Sequence, residues 1–313
     1  DALADQYANG TLRVTNRQSI QFHGVVKSNL KGLIAGFNEA LMTSLGGCGD
    51  VNRNVMACPA PTGDPARVQM QQLADAVAAH LAPRAGARAY HEIWLNGEKQ
   101  EVPAAEHANP EVDEPIYKDV YLPRKFKVAF GLPDDNCVDI LAMCLGFLCI
   151  RDADGKPVGY NLYAGGGQGQ TNSKPDTYPL LAQPVCFVTP DEVVAASEAV
   201  VKLYRDHGNR SDRKRARLKY VMKDWGLDKF REVFERDYWK KPLVAPKDAP
   251  ITGLDLHHGW HPQADGKMFL GISVENGRIK DNETLKLRTA LRTIAEQVPC
   301  SIRLTPQQDV LLC

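Results

Sequence analysis

The chain has 313 residues, 43% hydrophobic and 24% charged, an ordinary composition for a soluble globular protein of two or three structural units. Lysine plus arginine equals aspartate plus glutamate, 38 each, so global charge points to neither nucleic acid nor acidic lipid. The longest apolar run, Val138 to Ile150, is too short for a bilayer and contains Asp139, so no membrane segment is expected.

In chain order, Leu12 to His23 reads as a strand. Period two puts Thr15, Arg17, Ser19, Gln21 and His23 on one face and Val14, Ile20 and Phe22 on the other. Gly49 to Val55, with Asp50, Asn52, Arg53 and Asn54, reads as a loop before a short apolar segment. Asp64-Pro65 caps a helix whose apolar face carries Val68, Leu73, Val77 and Leu81. Arg88 stands at the entrance of a strand-like run, Glu92 to Leu95. Strands are predicted over Phe126 to Leu132, Phe147 to Arg151, Gly159 to Ala164 and Phe269 to Glu275. Lys125 and Lys127, two apart at a strand start, share one face and can converge on one anion. Thr189 to Glu192 is a capping box, and Gly208 is the stop of its helix. A further helix is predicted from Ser211, with Leu218, Val221, Met222 and Trp225 as its apolar stripe and Gly226 as its C-cap. Asn282 to Val298 reads as an amphipathic helix. Strands and helices without strict alternation predict an α+β fold with mixed sheets and flanking helices.

Two segments repeat. LRVTNRQSIQF (12–22) and IRLTPQQDVLL (302–312) share their order of residue types at an offset of 290, which predicts a duplicated unit and a chain that is a piece of a longer protein. In the second copy Gln307 stands where Arg17 stands in the first, so the fold itself does not call for arginine there. Residues 205–219 hold seven basic side chains, a solvated face or a phosphate-binding patch, without the aromatic interleaving of nucleic-acid binders. Gly165, Gly166, Gly167 and Gly169 follow a strand but lack G-K-[ST], so they form no nucleotide P-loop. They let the backbone approach something flat or crowded. The eight cysteines form no C-x-x-C pair and suit buried thiols in a reducing cytoplasm, and no metal-ligand set is read from them.

Eight stretches in order, TNRQSIQFHGV (15–25), GDVNRNVM (49–56), ARAYHEIWL (87–95), YLPRKFKVAF (121–130), GYNLYAGGG (159–167), GNRSDRKRARLKY (208–220), GWHPQADGKMFLGISVENGRI (259–279) and IRLTPQQDVLL (302–312), resemble the nitrite/sulfite reductase haemoprotein family, its assimilatory sulfite reductases above all. The resemblance implies six-electron reduction of sulfite or nitrite at a sirohaem bridged to a [4Fe–4S] cluster. It implies ferredoxin-like half-repeats with pseudo-two-fold duplication around a sirohaem-binding α/β domain: 1–38, 39–245 and 246–313. By motif position, Arg17, Arg88, Lys125 and Lys127 match the substrate-facing quartet. Arg53, Asn54, His23, Gly165, Gly166, Gly167, Asn209, Arg210, Arg213 and Arg217 match cofactor-holding positions. Sirohaem carries eight carboxylates and needs many cationic partners. Nitrite reductases of the family tend to have Asn where Lys127 stands, so sulfite is the expected substrate. Ferredoxin or an NADPH-flavoprotein is the expected donor. The family's cluster cysteines, C-x5-C and C-x3-C, have no counterpart here, so a cluster-binding domain is expected to be missing and this chain alone to be inactive. The alternatives are a ferredoxin-dependent nitrite reductase and a non-catalytic sirohaem-binding scaffold.

Overall fold

The computed structural model describes residues 1–44, 46–84, 93–95, 98–100 and 114–313. Helix α1 (Ala2–Tyr7) leads into a hairpin of β1 (Leu12–Val14) and β2 (Ile20–Phe22), followed by α2 (Leu30–Glu39). The strand expected over 12–23 is therefore two strands around a turn. Thr15 N donates to Ser19 O at 2.8 Å, and Gln18 takes φ +53°. Thr15 Oγ1 accepts from Arg17 N at 3.3 Å, a local bond that offers the backbone a turn in place of a longer ladder. Arg17 is thereby carried on a tight turn instead of a strand face.

The central layer is a five-stranded sheet of β3 (Asn52–Met56), β6 (Phe126–Gly131), β7 (Leu145–Arg151), β8 (Pro157–Ala164) and β9 (Gln183–Val188), in that spatial order. Between β3 and β6 the chain forms α3 (Pro65–His80) and a separate pair, β4 (Ile93–Leu95) with β5 (Glu98–Gln100). β3, β6 and β7 run parallel; β8 and β9 are antiparallel to their neighbours. The stretch read as a loop at 52–55 is thus an edge strand. Its pairing with β6 shifts register between Asn52 and Val55, so Arg53 and Asn54 occupy an irregularity that re-aims side chains. Both faces of this sheet are covered, which explains why β7 reads as a continuous apolar run instead of an alternating one. On one face, Phe130 and Phe147 stack with centroids 4.8 Å apart, beneath α3, α4 (Val193–His207) and α5 (Leu218–Val233). On the other face Ala129 and Leu148 meet Phe269 and Leu311.

The expected caps of α3 and α4 are present: Asp64 accepts from Ala66 N and Arg67 N, and the Thr189–Glu192 box is closed in both directions. The helix expected from Ser211 begins only at Leu218. Asn209 Oδ1 accepts from Ser211 N and Asp212 N, and Asp212 Oδ1 accepts from Lys214 N, so short polar side chains hold 209–214 in turns. Arg210, Arg213, Lys214 and Arg217 of the basic stretch therefore precede the helix and do not share a helical face. Gly226, at φ +76°, breaks the helical run at the expected C-cap position.

The chain closes with β10 (Gly259–Pro262), β11 (Met268–Ile272), β12 (Arg278–Ile279), α6 (Leu287–Gln297), β13 (Ile302–Leu304) and β14 (Val310–Leu312). α6 starts five residues later than expected because Asn282 Oδ1 accepts from Thr284 N and Leu285 N in a turn. β10, β11, β14 and β13 form one sheet, while β12 pairs with β1, so the two ends of the chain share a core of Ala4, Leu12, Val14, Ile279, Leu291 and Val310. The repeated segment is again a hairpin: Thr305 N donates to Asp309 O at 3.0 Å, and Gln308 takes φ +72°. Among the described residues, no helix is long and apolar enough to cross a membrane.

Candidate functional site

Between the first hairpin turn and the entry ends of β3 and β6 lies a cavity of about 810 Å³. Arg17, Arg53, Asn54, Lys125 and Lys127 line it, with Arg13, Thr15, Asn16, Ser44, Cys48 and Gln308 among their neighbours. A second cavity of about 380 Å³ shares Asn16, Lys125 and Lys127 with the first and adds Arg217, Gln168, Gly169 and Asp139. Asp139 is the one acidic side chain among the described residues that line the two. The turn is docked by its own side chains: Asn54 Nδ2 donates to Arg17 O, and Gln18 Nε2 donates to Ala57 O at 3.0 Å. On β6, Phe126 and Val128 are buried on the opposite face from half-buried Lys125 and Lys127, as the period-two pattern requires.

None of Arg17, Arg53, Lys125, Lys127 and Arg217 forms an ion pair among the described residues. The Nε atoms of Arg53 and Arg217 are buried without a hydrogen-bond partner. Burial is the largest cause pushing the pKa values of Arg17, Arg53, Lys125 and Lys127 down, and neighbouring cations add to it. Lys127 falls furthest, to about 8: burial is the largest cause, Cys144 opposes it, and Arg217, Arg17 and Lys125 lower the value further. Uncompensated, partly buried positive charge of this kind costs folding energy and is repaid by an anion. The sign is the reverse of the usual paired lysine. Holding the Lys127 proton destabilises the anion-free fold below about pH 8, and the cost is relieved as pH rises from about 8 toward 10.5. Lys127→Met is therefore expected to raise the thermal midpoint of the anion-free chain at pH 7, with a gain that shrinks across that window.

The glycine run packs behind Arg217, and its last member, Gly169, lines the smaller cavity. Gly165 sits at φ +87°, and a Cβ at Gly167 would meet the Arg217 guanidinium at 2.8–2.9 Å. Lys219, 1% exposed, donates to Gly167 O at 3.3 Å, to Gly169 O at 2.7 Å and to Tyr178 O, so it fastens the run from behind. The remaining sequence candidates lie elsewhere. His23, half-buried just after β2, is not among the cavity residues. Asn209 is spent on its own turn. Arg210 donates to Val120 O, Tyr121 O and Arg205 O, and Arg213 pairs with Asp50 at 2.6 Å. Arg210 thus holds the segment before β6, and Arg213 holds the loop before β3. Arg88 falls outside the described residues.

A convergence of five cations, from four segments and without ion pairs, onto adjoining cavities is what a polyanionic ligand requires. The family model for the nitrite and sulphite reductase 4Fe-4S domain matches residues 48–243, and the nitrite/sulfite reductase ferredoxin-like half domain matches 1–40 and 261–313. The chain belongs to the nitrite and sulphite reductase family. It is 43% identical over 325 residues to the sulfite reductase (ferredoxin) of Synechococcus elongatus, covering 100% of this chain and 51% of that protein. To the sulfite reductase (NADPH) hemoprotein beta-component of Geobacillus kaustophilus it is 42% identical over 316 residues, covering 100% and 53%. Its fold matches the NirA protein of Mycobacterium tuberculosis with TM-score 0.71 and 25% identity, over 100% of this chain and 50% of that one. The chain thus spans about half the length of the curated relatives it matches.

Membership in this family implies sirohaem and a [4Fe–4S] cluster. The cavities fit the first: a carboxylate-rich macrocycle matches five cations without ion pairs and two buried guanidinium Nε atoms without partners. Among the described residues no four cysteines come together for the second; all eight are free thiols.

Sequence reasoning missed Asn16, Cys48, Lys219 and Gln308, which the fold brings to the site or directly behind it. The repeat held a signal for one of them: Gln18 and Gln308 occupy the same turn position of the two copies. It also missed a buried group of Cys58, Asp135, Cys137 and His257, whose ligand-type atoms lie within 4.8 Å of one another. The D-x-C spacing of Asp135 and Cys137 was its only local trace.

Proposed function

We propose that this chain is the sirohaem-side part of an assimilatory sulfite reductase, reducing sulfite to sulfide by six electrons when completed. The observation that carries the reading is the convergence of Arg17, Arg53, Lys125, Lys127 and Arg217, unpaired, on adjoining cavities. The relatives named above, both sulfite reductases, support sulfite over nitrite. In this reading residues 1–38 and 246–313 form ferredoxin-like half-repeats around a sirohaem-binding domain at 39–245.

Sirohaem coupled to a [4Fe–4S] cluster would relay electrons from the donor and supply the iron at which sulfite is reduced. Arg53, Asn54 and Arg217 would hold carboxylates of the macrocycle, and Gly165, Gly166 and Gly167 would let the chain pack closely behind Arg217. Arg210 and Arg213 would serve indirectly, by holding the segments before β6 and β3, and Asn209 by shaping the turn that carries them. Arg17 and Arg88 fix the anion's charge, since guanidinium does not give up its proton near neutral pH. Lys125 and Lys127 also donate protons as the oxygens of sulfite leave as water. Burial lowers the pKa of both lysines, and that of Lys127 furthest, to about 8, so Lys127 is the stronger donor of the two near neutral pH. The electron donor is ferredoxin or an NADPH-flavoprotein, in keeping with the two relatives' names, and the compartment is the cytoplasm.

The test is sulfite and nitrite turnover, with sulfite affinity measured against pH, on the full-length, cofactor-loaded protein. Sulfite is expected to be reduced with the higher kcat/KM. Its affinity should carry a dependence that falls as pH rises through the Lys127 titration near 8 and that Lys127→Arg removes. Preferential nitrite turnover would assign the chain to nitrite reduction. Absence of both activities in a loaded protein would leave the scaffold reading.

A further inference from the structure

Away from the cation-lined cavities, four side chains from three separate segments meet in the interior. Cys58 follows β3, Asp135 and Cys137 lie in the loop between β6 and β7, and His257 lies on the approach to β10. All four are buried, at 6%, 3%, 2% and 4% exposure, and none lines either cavity. Cys58 Sγ lies 3.1 Å from His257 Nε2, and His257 Nε2 lies 3.3 Å from Asp135 Oδ2.

From this arrangement we infer that Cys58, Cys137, His257 and Asp135 form a structural zinc site, separate from the proposed catalytic centre and independent of its assignment. Two thiolates, an imidazole and a carboxylate are a donor set that zinc takes in closed four-coordinate sites, and thiolates disfavour magnesium and calcium. A tetrahedral zinc ion needs ligand atoms roughly 3.3–3.8 Å apart. The four lie within 4.8 Å of one another, so small side-chain rotations complete the shell. A [4Fe–4S] core does not suit the group, since it takes four thiolates around a larger inorganic cube and only two are here.

The surroundings orient each ligand as bound zinc requires. His257 Nδ1 faces Asp255 Oδ2 at 3.2 Å, which fixes the ring with Nε2 turned to the group, the carboxylate–histidine–metal relay. Asp135 Oδ1 accepts from Cys137 N and Asp255 N, both at 3.1 Å, leaving Oδ2 toward the ligands. Arg67 Nη1 bonds Cys58 Sγ at 2.6 Å and Asp135 Oδ2 at 2.8 Å. Two thiolates and a carboxylate carry three negative charges, and a dication with Arg67 carries three positive ones, so the buried group closes electrically neutral. Backbone geometry shows how much the fold commits to this placement. His257 is held at φ +57°, and its carbonyl would lie 1.7 Å from a Cβ at Gly271 in β11, so only glycine lets that segment approach.

The ion would staple the central sheet to the C-terminal one and steady both hairpin turns. Gln307 Nε2 donates to Cys137 O at 2.9 Å, and Gln18, next to Arg17, donates to the carbonyl of Ala57, adjacent to Cys58.

The experiment is elemental analysis and zinc K-edge absorption on the full-length protein, purified under reducing conditions from zinc-supplemented cells and passed through EDTA. Zinc is read separately from haem and cluster iron. The expected result is about one zinc per chain with two sulfur neighbours near 2.3 Å and two nitrogen or oxygen neighbours near 2.0–2.1 Å. Cys58→Ser, Cys137→Ser and His257→Ala should each drop zinc content at least about tenfold, while Cys300→Ser should not. Wild-type protein holding less than about a tenth of an equivalent of zinc would overturn the inference. So would a zinc shell without sulfur, retention of zinc in the Cys58 and Cys137 variants, or a Cys58–Cys137 disulfide in the reduced preparation. The absorption measurement needs only wild-type protein, so it decides the matter even where a variant folds poorly.

Discussion

Lys127→Asn, in the full-length and cofactor-loaded protein, is expected to lower kcat/KM for sulfite by roughly ten- to a hundredfold. Lys125 and Lys127 project from one face of β6 into the same cavity, so both ammonium groups reach one bound anion. A charge-assisted hydrogen bond contributes about 1.5–3 kcal/mol, and each 1.4 kcal/mol is about tenfold in rate. Sulfite has three oxygens and, near neutral pH, one to two negative charges; nitrite is smaller and carries one. Nitrite turnover should therefore fall less, or rise. Steady-state kinetics with both anions checks this, and the thermal midpoint separates chemistry from unfolding. Loss of a partly buried, unpaired ammonium relieves the fold, so the midpoint should hold or rise while sulfite activity drops. Unchanged sulfite activity would make Lys127 an ordinary lysine at the cavity wall.

Gly166→Ala is expected to be among the most disruptive single-methyl additions in the chain. A Cβ there would lie 2.3 Å from Leu141 O and 2.4 Å from Met143 O. Both are backbone oxygens, so no side chain can swing aside; either the glycine run or the 141–143 segment must move. Ala142 and Met143 line the smaller cavity, and the displacement therefore deforms the pocket as well as the fold. Overpacking of this kind costs about 1–3 kcal/mol, and sometimes more, when the obstruction is rigid. Gly169→Ala is the matched control. Its Cβ would find only Arg217 Nη1, at 3.6 Å, so it should stay within about 0.5 kcal/mol of the parent. Denaturant midpoints of the two variants measure the difference. Equal midpoints would show that the 141–143 segment yields freely. Sirohaem retention should fall in Gly166→Ala and hold in Gly169→Ala.

What the sequence determined by itself was of two kinds. Local chemistry was legible: Asp64-Pro65 and Thr189 to Glu192 start helices as expected, because a cap is a bond between near neighbours. The side-chain alternation of β6 was legible too, since pleating alone sets Lys125 and Lys127 on one face. The repeat at an offset of 290 marked two segments that both fold as β-hairpins with the same turn. Errors arose where local side chains compete with periodic patterns. Thr15, Asn209 and Asn282 divert their backbones into turns, so a predicted strand became a hairpin and two predicted helices began late.

Tertiary structure alone decided which basic residues share a cavity. Arg17, Arg53, Lys125 and Arg217 lie far apart in sequence, and their neighbourhood depends on parallel pairing of β3 with β6 and on docking of a hairpin turn through Asn54 and Gln18. By the same logic Arg210 and Arg213, basic residues from the same stretch as Arg217, were drawn to carbonyls and to Asp50. The group of Cys58, Asp135, Cys137 and His257 was nearly invisible for the same reason. Strands β3, β6 and β7 and the segment before β10 must pack before its ligands meet, and a linear spacing records none of that.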